Sequence, residues 1–180
     1  MTTLCFHRRM ELENFDGALE ALIESGAENY GDGESMEKLH QLSSRFDSFM
    51  TEAIAAFEKS EEWAADGAKT ASAWIATRCR VSRVATRRRV RLGRTLRHLP
   101  EVAQAWREGE IGGDQAQAIA HARRRRTEAA MARDEEVLVS QAKELGFEDF
   151  SRSWPIGSSW PTPTGPKTQK RRRRPLVMSS

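Results

Sequence analysis

The chain has 180 residues, enough for one domain of ordinary size, and 38% of them are apolar. It contains no apolar run of about 18 residues and no apolar stretch of signal-peptide length near its start, so we expect a cytoplasmic protein without a membrane span. The two cysteines, Cys5 and Cys79, are isolated, which excludes a disulfide framework and a zinc-binding cysteine pair.

The net charge of +3 results from strongly segregated charges. Residues 11–66 hold fifteen acids against three bases, whereas residues 67–100 hold ten bases and no acid. Residues 101–150 are mildly acidic, and residues 151–180 add seven bases. One internal segment is therefore strongly basic, and it directly follows a strongly acidic one.

Apolar residues recur at helical spacing along most of the chain, and no stretch alternates with period two for long enough to be a strand. Helices are predicted over about residues 12–25, 36–64, 71–78, 83–99 and 128–145. A further helix is predicted to begin at Pro100 and to stop at Gly109. Another is predicted to begin near Gly113. Thr70 and Ser82 are predicted N-caps, and Pro100 suits a first helical turn. The segment "FEDFSR" has the pattern of a further helix start. We expect an all-α fold, an irregular bundle of about six helices.

The apolar stripes of these helices are predicted to form the core, because Phe and Leu at three-and-four spacing usually mean burial. The stripes of the first two helices are Leu12, Phe15, Leu19, Leu22 and Ile23, then Leu39, Leu42, Phe46, Phe49, Met50, Ala53 and Phe57. The inward positions of the later helices are Trp74, Ile75, Val102, Ala103, Trp106, Ala116, Ile119, Met131, Leu138, Ala142 and Leu145.

The most informative internal stretch is "RCRVSRVATRRRVRLGRTLRHLP", with nine arginines between positions 78 and 97. Guanidinium groups in a row suit phosphate oxygens, which accept two hydrogen bonds from one arginine. A helical projection predicts a buried stripe of Ala85, Leu92, Leu96 and Leu99. On the opposite face are the candidate nucleic-acid-binding residues Arg83, Arg87, Arg91, Arg94 and His98. Val90 falls on that basic face, where we expect only a contact with another helix.

Three interpretations of this basic helix stay open. Its arginines pair with the acidic segment 11–66 of the same or a partner chain, or they contact nucleic acid, or they form a solvated face. A short preceding helix and a tight turn at Cys79–Ser82 give the outline of a helix-turn-helix, but the second helix lacks the Asn and Gln that read bases. The run Arg123–Arg126 predicts a solvated junction between helices, with phosphate contact as the alternative.

The segment "DGAKTASAWIATRCRVSRVATRRRVRLGRTLRHLPEVAQAWREGEIGGDQAQAIAHA" resembles the actinobacterial 13E12 repeat family, also called domain of unknown function 222. That family has a Gly-Ala and a Trp in a short helix, an Arg-rich helix ending in Leu-Pro, a Gly-Glu-Ile/Leu turn and an Ala-rich helix. The matching residues are Gly67, Ala68, Trp74, Ala85, Arg89, Leu96, Leu99, Pro100, Ala105, Gly109, Glu110, Ile111, Ala116 and Ile119. The resemblance covers roughly residues 35–152.

The family's helical region usually precedes an HNH nuclease module, so the resemblance implies an accessory role beside a nuclease. An HNH site needs two histidines and an asparagine, and the only asparagines here are Asn14 and Asn29. No partner at metal-ligand spacing accompanies any of the histidines His7, His40, His98 and His121. We therefore expect no enzyme, catalytic residue, metal, cofactor or small-molecule substrate, but an accessory domain truncated before its nuclease module. The expected partner is DNA or a second copy, and not a membrane.

We divide the chain into an acidic N-terminal helix and loop (1–34), a 13E12-like helical domain (35–152) and a basic tail (153–180). The tail holds five of the six prolines and the run "KTQKRRRR". Two origins stay open. A frame starting one nucleotide earlier would turn each Trp-Pro pair into an apolar residue followed by Ala and so continue the last helix. Alternatively, the tail is a genuine disordered segment that binds phosphate non-specifically. Neither version is predicted to fold.

Overall fold

The computed structural model describes residues 2–153, with side chains described from residue 7 onward. All regular structure in this range is helical, which confirms the all-α fold. The helices are α1 (Thr2–Glu24), α2 (Gly33–Ser60), α3 (Glu62–Ala65), α4 (Ala71–Arg78), α5 (Arg83–Leu96), α6 (Pro100–Glu108), α7 (Gly113–Ala122), α8 (Glu128–Glu144) and α9 (Phe147–Ser153). A 3-10 turn, Ala27–Tyr30, joins α1 to α2. The predictions for the rest of the tail lie outside the described residues.

The described range holds nine α-helices, so the expectation of about six was wrong. One cause is Glu61, whose φ of 57° splits the predicted helix 36–64 into α2 and α3. A second cause is the segment from Phe147, which forms the seven-residue helix α9. None of the described helices combines the length and the apolar character that a membrane crossing requires.

Local signals set the helix ends as predicted. The side-chain oxygen of Thr70 accepts a hydrogen bond from the Ala73 amide at 3.1 Å. The Ser82 hydroxyl accepts one from the Ala85 amide at 3.4 Å. Gly109 ends α6 in the left-handed region, with φ 78°, where a side chain would be strained. The Thr70 and Ser82 caps thereby fix where α4 and α5 begin.

The main core lies between the end of α5 and α9. Phe150 on α9 is 1% exposed, so this last helix closes the core. The inward positions predicted for the later helices are confirmed as buried at Ile75, Val102, Trp106, Ala116, Ile119, Met131, Leu138 and Ala142. Trp74, Ala103 and Leu145 are only partly buried.

The predicted core stripe of α2 was wrong at Leu42, Phe46 and Phe49, because α2 packs mainly through its small residues, while the other four members of the stripe are partly buried: Leu39, Met50, Ala53 and Phe57. Ser48, Thr51 and Ala55 are buried, and they belong to the face of α2 that contacts α5 and α6. Small side chains allow two helix backbones to come close together, which large ones prevent. Leu42, Phe46 and Phe49, on the other side, are exposed by between 42% and 57%.

The predicted stripe of α1 also lies outside the core. Its five members, Leu12, Phe15, Leu19, Leu22 and Ile23, are exposed by between 37% and 69%. The Phe15 ring stacks on the Phe46 ring of α2, with 4.9 Å between the ring centroids. Phe15 of α1 thus contacts the exposed side of α2, and no described side chain of α1 belongs to the main core.

Two buried polar side chains join helices that are distant in the sequence. A carboxylate oxygen of Glu135 on α8 accepts a hydrogen bond from the Val102 amide at 3.0 Å, at the start of α6. Leu99, the residue before α6, offers no side-chain oxygen for this capping role. Burial raises the pKa of Glu135, although its backbone hydrogen bonds act in the opposite direction.

Gln115 plays a similar part at the start of α7. Its side-chain oxygen accepts a hydrogen bond from the Gly112 amide at 2.8 Å. Its amide nitrogen donates to the carbonyl oxygens of Ala142 and Leu145, at 2.7 and 2.9 Å, at the end of α8. The Gln115 side chain thus provides hydrogen-bond partners for backbone groups at the start of α7 and at the end of α8. The sequence pattern did not indicate this role.

Candidate nucleic-acid interface

The buried face of α5 differs from the buried stripe that the helical projection predicted. Its buried residues are Thr86, Val90, Gly93 and Leu96. The predicted stripe was wrong at Ala85, which is exposed, and correct at Leu96 and Leu99. Val90, placed on the basic face, is buried, in keeping with the expected contact with another helix. The difference arises at Gly93, whose missing side chain lets α5 approach the backbone of α2.

Two arginines of α5 are paired with carboxylates of α2. Nε of Arg94 donates to Glu58 at 2.7 Å, and a second nitrogen of the same guanidinium contacts the other carboxylate oxygen. This hydrogen-bonded pair raises the pKa of Arg94. Arg89 donates to Asp47 at 2.5 Å. Pairing within the chain therefore accounts for Arg94, one of the candidate binding residues, and for Arg89.

Two further arginines beyond α5 also contact α2. Arg97 donates to the carbonyl oxygen of Ala55 at 2.7 Å. Arg107 on α6 lies 2.7 Å from a carboxylate oxygen of Glu52. Together with the pairs of α5, these contacts hold the basic helix and α6 along the acidic side of α2.

The other candidate arginines remain available for an external partner. Arg83, Arg87 and Arg91 are exposed, and none of their guanidinium groups takes part in an ion pair or a hydrogen bond within residues 7–153. They follow one another at intervals of four residues, so the row spans about 12 Å along α5. The neighbouring Arg88 and His98 are exposed as well. The candidate site thus consists of a row of three arginines with two cationic or titratable neighbours.

Two arginines, Arg78 and Arg80, lie near the turn before α5, and Arg78 makes contacts with other side chains. Asp66 accepts hydrogen bonds from the Trp74 indole at 2.7 Å and from Arg78 at 3.2 Å. The Arg78 guanidinium also lies over the Trp74 ring, 5.8 Å from its centroid. Arg80 is exposed in the turn, with φ 56°. Arg78 is therefore part of the structure, and Arg80 extends the exposed basic surface.

An apolar groove borders the arginine row and was not predicted. It lies between α2, α4, α5, α6 and α7 and has a volume of about 690 Å³. Ile54, Trp74 and Leu92 are among the apolar residues that line it, while Arg88 and Arg89 contribute charged groups. The groove depends on residues from five helices, so periodicity within one helix could not indicate it.

The second arginine run lies at the junction of α7 and α8. Arg123 pairs with Glu128, and its side chain is largely buried. A guanidinium nitrogen of Arg124 lies 3.3 Å from Nε2 of His121. Arg125 and Arg126 are exposed without an ion pair to any residue of the range 7–153. The four arginines therefore differ in burial and in pairing.

The described residues show no group of three or more His, Cys, Asp or Glu side chains placed to hold a metal ion. His7 and His40 lie on α1 and α2, His98 follows α5, and His121 lies on α7. The structure does not bring these histidines together.

Residues 33–147 match the family described as Domain of unknown function (DUF222). The chain belongs to the DUF222 family. The part shared with the DUF222 family begins with α2 and reaches the first residue of α9, so α1 lies outside it. No curated protein and no solved structure matches the chain significantly.

Proposed function

We propose that this DUF222 chain is a non-catalytic helical accessory domain that contacts DNA phosphates through α5. The link to nuclease chemistry of the HNH type is supported by the motif order that resembles the 13E12 repeat family. In this proposal the domain supplies binding and positioning, and a separate module supplies hydrolysis.

One observation carries the proposal: α5 divides its arginines between two faces. Arg89 and Arg94 are paired with α2, whereas Arg83, Arg87 and Arg91 point to solvent without a carboxylate partner in the described range. A guanidinium that is not neutralised by its own protein can exchange water and counterions for a phosphate oxygen. The inner arginines, Arg89 and Arg94, hold α5 against α2. The outer arginines, Arg83, Arg87 and Arg91, are left to bind phosphate.

The chemistry of this row favours the DNA backbone over particular bases. Arginine binds phosphate through paired donors, and α5 has no Asn or Gln with which to read an adenine edge. The contact is therefore expected to be independent of sequence and to weaken steeply with salt. A module of this kind would position a nuclease on a duplex without choosing the cleavage sequence.

A second candidate function is a protein-interaction or oligomerisation module whose basic helix pairs with acidic helices. The pairs Arg94–Glu58 and Arg89–Asp47 favour it, because they show α5 in contact with an acidic helix of its own chain. A partner would have to use the outer arginines, since α2 already occupies the inner ones. This candidate predicts salt-sensitive self-association and no binding of DNA.

The test uses the full chain. The contribution of the basic run in the tail to DNA binding must therefore be distinguished from that of α5. We compare the natural chain with a variant in which Arg171, Arg172, Arg173 and Arg174 are replaced by Gln. Binding of a labelled duplex is measured by fluorescence anisotropy between about 50 and 200 mM salt. We expect the variant to keep salt-dependent binding with a log–log slope of about −2.7, which corresponds to three phosphate contacts.

Loss of all salt-dependent binding in the tail variant would overturn the proposal, because the tail alone would then bind DNA. Sedimentation equilibrium on the same two proteins tests the second candidate. A salt-sensitive dimer together with an absence of DNA binding would replace the first proposal by the second.

A further inference from the structure

The first two helices carry an apolar surface that the rest of the described chain does not cover. We call it the hairpin face. It consists of Leu12, Phe15, Leu19, Leu22, Ile23, Met36, Leu42, Phe46 and Phe49, all at least 37% exposed. At its centre Phe15 stacks on Phe46, and the Phe46 ring lies 6.5 Å from the Phe49 ring. These rings form one continuous aromatic cluster and are not scattered surface residues.

The size of the hairpin face suits a protein interface. Nine large side chains with this exposure present on the order of 800 Å² of accessible surface, comparable with what one partner buries in a standard interface. The largest apolar patch of a typical monomer is about 300–600 Å². An exposed surface of this size, with helical spacing on both helices, is typical of a face that buries itself against another helix.

The charges around the hairpin face limit the choice of partner. Asp16, Glu20 and Glu24 of α1 and Glu34 and Glu37 of α2 form no ion pair within residues 7–153. The carboxylates nearer the other end of α2 are instead paired with arginines of α5 and α6. The apolar residues therefore share the first two helices with negative charge that no described residue compensates.

A second copy is a poor occupant of this surface. Two hairpin faces in contact would bring their uncompensated carboxylates together, and like charges at an interface are unfavourable. The exposed basic side of α5 from another copy also fits badly, because Val84 is its one large exposed apolar residue among Arg83, Arg87 and Arg91. The occupant needs apolar and basic groups on one element.

We propose that the hairpin face binds an amphipathic helix of a partner protein, one with an apolar stripe flanked by Lys and Arg. The stripe would cover the cluster around Phe15, Phe46 and Phe49, and the basic flanks would face Asp16 and Glu20. Helices of this kind bind through apolar residues at three-and-four spacing. Of the hairpin face, the residues on α2 lie within the match to the family and those on α1 lie outside it.

The probe is a labelled synthetic peptide of Leu and Lys, about five helical turns long, with Leu at amphipathic spacing. A peptide with Glu in place of Lys and a scrambled Leu/Lys peptide serve as comparisons. Fluorescence anisotropy with the full chain should show saturable binding of the amphipathic Leu/Lys peptide and at least tenfold weaker binding of the other two. Equal binding of the scrambled or acidic peptide would overturn the proposal.

Two sets of variants locate the binding site. L12Q/I23Q changes the two most exposed apolar residues of α1, with V137Q on α8 as a control of similar exposure. We expect L12Q/I23Q to weaken peptide binding at least tenfold and V137Q to leave it unchanged. Circular dichroism checks that each variant keeps the helical content of the natural chain. Equal affinities of L12Q/I23Q and V137Q would contradict the proposed location.

A charge variant keeps the test decisive even if the apolar variant loses structure. D16N/E20Q should weaken the binding of the Leu/Lys peptide and reduce its dependence on salt, whereas E136Q/E144Q on α8 should not. The same chain is also examined by sedimentation equilibrium. A dimer that dissociates in L12Q/I23Q would show that a second copy covers the hairpin face and would overturn the assignment to a basic helix.

Discussion

Gly93 of α5 and Ala55 of α2 meet so closely that a Cβ on Gly93 would lie 2.8 Å from the Cβ of Ala55. The same atom would lie 2.9 Å from the carbonyl oxygen of Thr51. Both distances are shorter than real Cβ contacts, so the two helices can pack in this way only with glycine at position 93. This contact sets the rotation of α5 and thereby decides which of its arginines face solvent.

Replacing Gly93 by Ala should destabilise the protein by about 1–3 kcal/mol, because the new methyl group overpacks the contact with α2. The intrinsic helix propensity of Ala, which favours it over Gly by about 1 kcal/mol, acts in the opposite direction. Gly17 provides a matched control, since it lies in α1 with nothing within 4 Å of its Cβ position. Urea denaturation should show G93A less stable and G17A as stable as the natural chain or more so. Equal stabilisation by both changes would disprove the close contact.

Glu135 should make stability fall as the pH rises above the ordinary carboxyl pKa of 4.5. Because burial raises its pKa, the folded chain retains a proton that the unfolded chain has already released. The contribution of Glu135 to the free energy of unfolding therefore decreases between pH 4.5 and the raised pKa and is constant above it. The replacement E135Q keeps an acceptor oxygen for the Val102 amide but cannot titrate.

Urea denaturation measures the unfolding free energy of E135Q and of the natural chain across this pH range. The value for E135Q minus the value for the natural chain should increase as the pH rises. The adjacent exposed Glu136 supplies the control, and E136Q should show no such trend. A difference that decreases with pH would mean that the hydrogen bonds of Glu135 outweigh its burial.

Replacing Gln115 by Leu should destabilise the chain by about 1–3 kcal/mol, because it removes the side-chain partners of three backbone groups, one of them on the buried residue Ala142. The amide of Gly112 loses its acceptor, and the carbonyls of Ala142 and Leu145 lose a donor. Gln117, exposed on the same helix, serves as the control in Q117L. Thermal denaturation should separate the two variants by several degrees. Identical melting temperatures would show that the end of α8 does not depend on Gln115.

Local features of the fold could be predicted from the sequence because they depend on neighbouring residues. The caps at Thr70 and Ser82, the proline at the start of α6 and the glycine at its end are all in the predicted places. Contacts within about one turn decide each of these features, so a single sequence contains enough information for them.

The choice of the packing face of α2 could not be predicted in this way. One side of this helix carries large apolar residues around Phe46, and the other carries small residues around Thr51. Hydrophobic periodicity predicts that the side with the large apolar residues is buried. The observed packing depends on Gly93, which lies far away in the sequence and fits only the small side. For the same reason Arg94 was assigned to the outer face, because its partner Glu58 is brought to it by the tertiary fold.

The most direct test of the account removes three charges from α5 and three from the junction of α7 and α8. R83Q/R87Q/R91Q and R124Q/R125Q/R126Q lower the net charge equally, but only the first removes the outer row. The salt dependence of duplex binding is measured for both in the full chain. We predict that the first variant reduces the log–log slope by about 2.7 and the second by less than about 1. Equal reductions, or no change in the first variant, would contradict the claim that α5 contacts DNA phosphates.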